Sequence, residues 1–310
     1  MTTIKADLHM HGPIGFQPYW LRKQGYAGRN LLQLIAEECF RKKITICAVT
    51  SQRDGEIARF SAEDRLGVLI KHEAPLLPEE YSAGTLGGNN DVLIVEKGNE
   101  KVYLVNGQTV MPEEDGQKFD VLIVGTNRIE SGRSFERTLR CEDEHQIIKI
   151  AEHPYVEAHR GMGGERLEKY LDYFDAIEGH NSQARFSSWI TKLPLIGSTF
   201  SRAGKELNEK AKAIAKEFGK PSVATSDAHR IEDAGISYNE WDGKINDENE
   251  EIFFEQLWNQ IRIGSFRTVE RYEPLITWLR WVATFQRGVK DKSRFAAEEY
   301  IPSNIFVQER

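Results

Sequence analysis

Apolar residues recur along this chain in short β-type runs, at residues 4–8, 44–50, 92–95, 102–105, 121–124, 147–151, 174–178 and 221–225, several of them separated by stretches of helical period. Such alternation predicts strand, helix and strand in turn, and hence an α/β fold. Between the first two runs, Leu31, Leu32, Leu34, Ile35, Cys39 and Phe40 form a helical stripe, with Asn30 placed to cap its N-terminus. The runs 92–95 and 102–105 flank a Gly98-Asn99 turn and predict a hairpin. Residues 73–90 contain Pro75, Pro78, Gly84, Gly87 and Gly88, which predicts an irregular loop near a barrel mouth.

Two further apolar stretches have plain packing explanations. Phe186, Trp189, Ile190, Leu193 and Phe200 follow a candidate site segment as a lid would, and a loop packed over the barrel accounts for them better. Leu275, Trp278, Leu279, Val282 and Phe285 form a helical stripe expected to pack against the barrel. The expected organisation is one barrel domain over residues 1–272 and a helical extension over 273–310.

Composition narrows the class. With 310 residues and 40% hydrophobic content the chain can bury an ample core. No apolar run reaches the roughly 18 residues of a spanning helix, so no membrane role is expected. The N-terminus enters the first β-run without a charged and then apolar leader, which makes the cytoplasm the expected location. Cys39, Cys47 and Cys141 are odd in number and lack metal-knuckle spacing, which argues against disulfides and against a cysteine zinc site. A net charge of -7 disfavours nucleic-acid binding through phosphate neutralisation and suits a cation site.

The chemistry is concentrated just after the β-runs. Ile4-Lys5-Ala6-Asp7-Leu8-His9-Met10-His11 closes the first, Ile150-Ala151-Glu152-His153-Pro154 a middle one, Ile177-Glu178-Gly179-His180-Asn181 the next, and Ser222-Val223-Ala224-Thr225-Ser226-Asp227-Ala228-His229 the last. Residues two apart on a strand share a face, so Asp7, His9 and His11 can converge, as can Glu178 with His180 and Asp227 with His229. In a β/α barrel the strand ends meet around one mouth, so residues distant in sequence become neighbours. Imidazole nitrogens with a carboxylate form a mixed set suited to Zn²⁺, Mn²⁺ or Fe²⁺. A lone His-x-His is common on protein surfaces; three such stretches in this order form a far more specific pattern. His72, His145 and His159 match no motif and are expected at the surface or in packing.

With Asp-Leu-His-Met-His, His-Pro and Ser-Asp-Ala-His in this order, the chain resembles the polymerase and histidinol phosphatase (PHP) superfamily over residues 4–270. The resemblance implies a distorted (β/α)7 barrel of the PHP type and phosphoester hydrolysis by metal-bound water. It implies that His9, His11 and Asp227 hold one metal, His153 serves a second and His229 a third. The chain departs from the family pattern where Thr50-Ser51-Gln52 stands for Thr-Asp-His, where Thr109 or Glu73 must stand for a bridging Glu, and where Asp120 replaces a histidine before the following strand. Asp120 can still ligate a hard ion.

One or two divalent ions (Zn, Mn or Fe) are therefore expected on His9, His11, His153, Asp227, His229 and Asp120. Asp7 and Glu178 are expected to orient ligand imidazoles. Arg160 and Arg185 follow site segments and are candidate contacts to a substrate phosphate, with an exposed salt bridge the competing explanation. Gly161-Met162-Gly163-Gly164 lacks the lysine of a P-loop and is expected to be a flexible loop. The expected function is a metal-dependent phosphoesterase acting on a small phosphorylated substrate. The alternative is a degenerate barrel that binds a ligand or partner without turnover. An amidohydrolase-type barrel also begins with His-x-His, but the bridging lysine or further histidine pair it requires has no place in this sequence.

Overall fold

The computed structural model describes residues 2–13, 21–22, 24–52, 64–141, 146–156, 159–184, 204–274 and 276–277. Arg185, His145, the 186–200 stretch and nearly all of the 273–310 extension with its apolar stripe lie outside the described residues.

The first unit forms as the apolar pattern predicts: strand β1 (Thr2–Met10), helix α1 (Leu31–Lys42) and strand β2 (Ile46–Gln52), with β1 and β2 parallel. The Asn30 side chain accepts from Gln33 N at 2.9 Å and so caps α1, and Glu73 Oε2 accepts from Leu31 N at 2.7 Å. The helix buries Leu31, Leu32, Ile35, Ala36, Cys39 and Phe40 against the sheet.

A short helix α2 (Arg65–Val68) continues into a wider turn at Leu69–Glu73. Within the stretch expected to be irregular, strand β3 (Tyr81–Thr85) pairs with β4 (Val92–Lys97), which returns through Gly98-Asn99 into β5 (Glu100–Val110). Prolines and glycines masked β3 because it lies at the sheet edge, where such residues are tolerated. A small hairpin of β6 (Glu113–Glu114) and β7 (Gln117–Lys118) precedes β8 (Val121–Val124), helix α3 (Phe135–Leu139) and β9 (Ile148–Ala151). Helix α4 (Gly163–Tyr170), β10 (Ala176–Asn181), α5 (Lys205–Glu217), β11 (Ser222–Thr225), β12 (Tyr238–Gly243), α6 (Glu250–Ile263) and β13 (Arg267–Val269) complete the described chain.

The main sheet runs β11-β10-β9-β8-β5-β2-β1-β12-β13. Strands β1, β2 and β5 are mutually parallel, as are β9, β10 and β11, while β8 and β12 run against their neighbours. The ends nearly meet. Asn239 on β12 donates to Ala6 O at 3.2 Å and Ala224 O at 2.9 Å, and Met10 bridges to Ala228, so β1 and β11 are stitched without a full ladder. Ala6, Leu8, Ile46, Ala48, Val105, Leu122, Ile150 and Val223 fill the interior, with Phe253, Phe254 and Leu257 of α6 packed among them. The result is a distorted β/α barrel. No helix among the described residues is long and apolar enough to cross a membrane.

The reversal of β8 matters for the site. Asp120 precedes β8, and because that strand is antiparallel its start lies at the same mouth as the ends of β1, β9, β10 and β11.

Candidate metal centre

The mouth residues are delivered by irregular backbone. The β1–β2 register shifts between Asp7 and Met10, and His9 is fully buried beside Leu8, with His11 just past the strand end. His153 and Asp227 follow β9 and β11 with φ of 23° and 48°, the left-handed region that costs a non-glycine residue on the order of 1–3 kcal/mol. The His153 turn is pressed close: a Cβ on Gly161 would meet His153 O, Pro154 O and Val156 N, each at 2.7 Å. Gly161 thus serves that turn.

Donors from the ends of four strands, β1, β8, β9 and β11, converge here. His9 Nε2 lies 3.0 Å from His11 Nε2, 3.4 Å from Glu152 Oε1 and 3.5 Å from Asp227 Oδ1. His11 Nε2 lies 3.5 Å from Asp227 Oδ1, and His153 Nε2 lies 3.2 Å from Glu152 Oε1. Three groups bring their donor atoms within 4.8 Å of one another: His9 with His11 and Glu152, Asp120 with Glu152 and His153, and His11 with Asp227 and His229.

Around these donors stands a supporting ring. Glu178 Oε1 accepts from His9 Nδ1 at 2.9 Å and from the Thr225 hydroxyl, and Oε2 accepts from His153 N at 2.6 Å and Asn181 Nδ2 at 3.2 Å. Asn181 also donates to Asp227 Oδ2 at 3.1 Å, and Thr109 Oγ1 donates to Glu152 Oε1 at 3.2 Å. Arg65, 1% exposed, donates through one nitrogen to His11 O and Thr50 O, both at 2.6 Å, and that nitrogen lies 3.2 Å from His11 Nδ1.

The donor set fits a divalent ion. Among the described residues, Glu152 Oε2, Asp120 Oδ1, His153 Nδ1 and Asp227 Oδ1 are buried without a hydrogen-bond partner. Buried polar atoms left unmatched are costly, and the carboxylate oxygens among these, on residues of the three groups, call for a cation.

Electrostatics point the same way. Burial opposes charge on His9, yet Asp227, Glu152 and Glu178 outweigh it and push its pKa up to about 10. Burial and the neighbouring His9 charge hold His11 well below the usual imidazole range. Burial is likewise outweighed at His153, which Glu152 raises to about 9, while burial and Glu152 raise Asp120 to about 7. Two facing imidazole nitrogens 3.0 Å apart require a proton between them or a cation in its place.

Of the residues singled out from sequence, His9, His11, His153, Asp227, His229 and Asp120 are brought together in these groups. Glu152 is the missed one: its neighbour His153 drew attention, and Glu152 is the carboxylate that joins two groups, as His11 is the imidazole that does so. Thr109 touches Glu152, whereas Glu73 lies away from the mouth, its carboxylate capping α1. Asp7 faces another way, accepting from Ser226 N at 3.1 Å and Gly235 N at 2.7 Å, and so ties β1 to the segment after β11. His180 also leaves the mouth: a register shift between Glu178 and His180 breaks the alternation that would have put them on one face. Arg160 reaches the rim, with Nη1 3.8 Å from Asp120 Oδ1. His159 is exposed there, its ring centroid 6.0 Å from that of His153.

Comparison with known proteins bears on the fold. Residues 205–260, which carry Asp227 and His229, match the PHP-associated family. No curated protein matches the chain. Among solved structures, PsfC from Pseudomonas syringae superposes with a TM-score of 0.54 at 14% identity, over 93% of this chain and 98% of that one. A two-domain protein from Bacteroides vulgatus, containing a predicted PHP-like metal-dependent phosphoesterase, gives a TM-score of 0.51 at 11% identity, over 87% of this chain and 65% of its own. This chain therefore spans slightly less than two thirds of the Bacteroides protein, and at these identities the likeness is one of fold. The barrel thus shares its fold with these structures, and residues 205–260 match the PHP-associated family.

Proposed function

We propose that this chain is a metal-dependent phosphoesterase holding one or two divalent ions at the barrel mouth. The observation that carries the reading is Glu152, which lies between two His/Asp/Glu groups and keeps one buried oxygen unmatched. His9, His11, Glu152 and Asp227 would hold one ion, and Asp120, Glu152 and His153 the other. Mixed imidazole and carboxylate donors suit Zn²⁺, Mn²⁺ or Fe²⁺. When bound, such ions acidify water toward neutral pKa and withdraw charge from a phosphoryl oxygen.

The chain's own residues prepare that chemistry. Glu178, accepting from His9 Nδ1, leaves Nε2 turned to the cluster, and the Thr109 hydroxyl orients Glu152. Arg160 beside Asp120 can meet a phosphate at the rim with paired donors, and Arg185 is assigned the same role by its place in sequence. A net charge of -7 favours a small phosphorylated substrate over a polyanion, and free cysteines suit the cytoplasm.

One observation favours a second reading, a barrel that binds without turnover: the end of β2 offers Thr50, Ser51 and Gln52, and Arg65 is seated on Thr50 O. Elemental analysis of protein purified without chelator, beside a phosphoester screen and an Asp227→Asn variant, separates the two. Bound metal, chelator-sensitive hydrolysis and reduced occupancy in the variant support the phosphoesterase. A protein that takes up no metal after resupply with Zn²⁺, Mn²⁺ and Fe²⁺ ends that reading and leaves the binding barrel.

A further inference from the structure

Arg65 belongs to none of the groups that could hold an ion, yet it sits among them. Its backbone N donates to Ser51 Oγ at 3.1 Å, which anchors α2 to the end of β2. Its guanidinium occupies the joint between the ends of β1 and β2, meeting His11 O and Thr50 O at 2.6 Å each. The same nitrogen lies 3.2 Å from His11 Nδ1, while Thr50 O lies 3.3 Å from that ring atom. The ring can donate to Thr50 O or accept from Arg65, never both through Nδ1.

We propose that Arg65 is a resident cation that keeps an ion out of the His11–Asp227–His229 group, so that the mouth holds at most the two ions centred on Glu152. A guanidinium beside His11 repels a further positive charge on that side of the ring once the ion shared by His9, His11 and Glu152 is in place. His229 is meanwhile engaged within its own turn, with Nδ1 2.8 Å from Asp227 O. Arg65 is therefore a positioning residue that sets ion number. The inference rests on the metal-centre reading above.

The test is Mn²⁺ stoichiometry and affinity by calorimetry and elemental analysis on the full chain. Arg65→Met should bind one ion more than the wild type, or bind its weakest ion about tenfold tighter or more; Arg65→Lys, which keeps the charge, should behave as the wild type. An Arg65→Met protein with unchanged count and affinities overturns the proposal while leaving the metal centre intact. His229→Ala in the wild-type background gives a decision that needs no change at Arg65. An unchanged ion count supports the proposal, and a lost ion overturns it. Absence of Mn²⁺ from both wild type and Arg65→Met overturns this proposal and the metal centre together.

Discussion

Two buried histidine networks lie close together in this barrel, and they differ in whether their hydrogen bonding closes. Around His180, Nε2 donates to Arg271 O at 3.1 Å and Nδ1 lies 3.4 Å from Asn208 Nδ2, with the Tyr272 ring packed edge-on at 4.7 Å. One neutral tautomer satisfies both ring nitrogens, and burial holds the imidazole below its ordinary pKa. At the mouth, His9 and His11 face each other through Nε2, and four atoms of Glu152, Asp120, His153 and Asp227 are left unmatched among the described residues. A closed network needs nothing further; an open one, with carboxylates in excess, is a place for a cation. Histidine burial alone does not separate a site from a structural network, whereas hydrogen-bond closure does.

The comparison breaks most sharply at Glu152. Glu152→Gln keeps the shape and removes the charge shared by two groups, so affinity for both ions should fall by on the order of a hundredfold or more, and hydrolysis with it. Calorimetric titration checks this; loss of only one ion would show that Glu152 does not join the groups. Glu178→Gln acts one step out, through His9 Nδ1 and His153 N, and should weaken ion binding by about 10–100-fold. If ion affinity were unmoved, the Glu178 ring of contacts would belong with His180 as plain structure.

How much of this was legible before the fold was known differs by element. The parallel strands were legible because both faces of each are buried, which leaves continuous apolar runs such as residues 46–49 of β2. Strand β3 was not, since its edge position tolerates Gly84 and exposes most of its residues. Strand β12 alternates less clearly because Asn239 is spent on stitching the barrel seam. The residues of the mouth were legible through motifs that end strands. Glu152 escaped because no spacing rule distinguishes it from any carboxylate at a strand end; only the reversal of β8, which brings Asp120 to the same mouth, reveals what it joins. His180 was misplaced because alternation fails at a bulge that sequence does not announce. Arg65 escaped entirely, since its partners are main-chain carbonyls.

A smaller effect sharpens the electrostatic side of the comparison. In metal-free protein, His9 and His153 have folded pKa values near about 10 and about 9, above the ordinary 6.5. A raised histidine contributes stability that is complete below its unfolded pKa and is lost as pH climbs through the folded value. The metal-free protein should therefore lose stability between pH 6.5 and about 10. Ions must displace those protons, so their affinity should rise over the same window. Thermal unfolding with and without Mn²⁺ at pH 6.5 and 9 checks both. A stabilisation by Mn²⁺ that shrank with rising pH would contradict the proton competition.

The smallest effect on the mouth is expected from the closed network itself. His180→Ala removes the acceptor facing Asn208 Nδ2 and the donor to Arg271 O, but Asn208 Nδ2 keeps Asn181 O at 3.1 Å and the Tyr272 hydroxyl at 3.3 Å. Stability should fall by about 1–3 kcal/mol from a lost buried hydrogen bond and the space left behind. Ion count and affinity should stay as in the wild type, because of these partners only Asn181 touches the mouth, through its side chain to Glu178 and Asp227, while Asn208 meets its main-chain oxygen. Denaturant unfolding paired with metal titration reads both quantities on one preparation. A variant that kept its stability and lost an ion would reverse the comparison, and would mean that His180, one bulge away from Glu178, reaches the mouth after all.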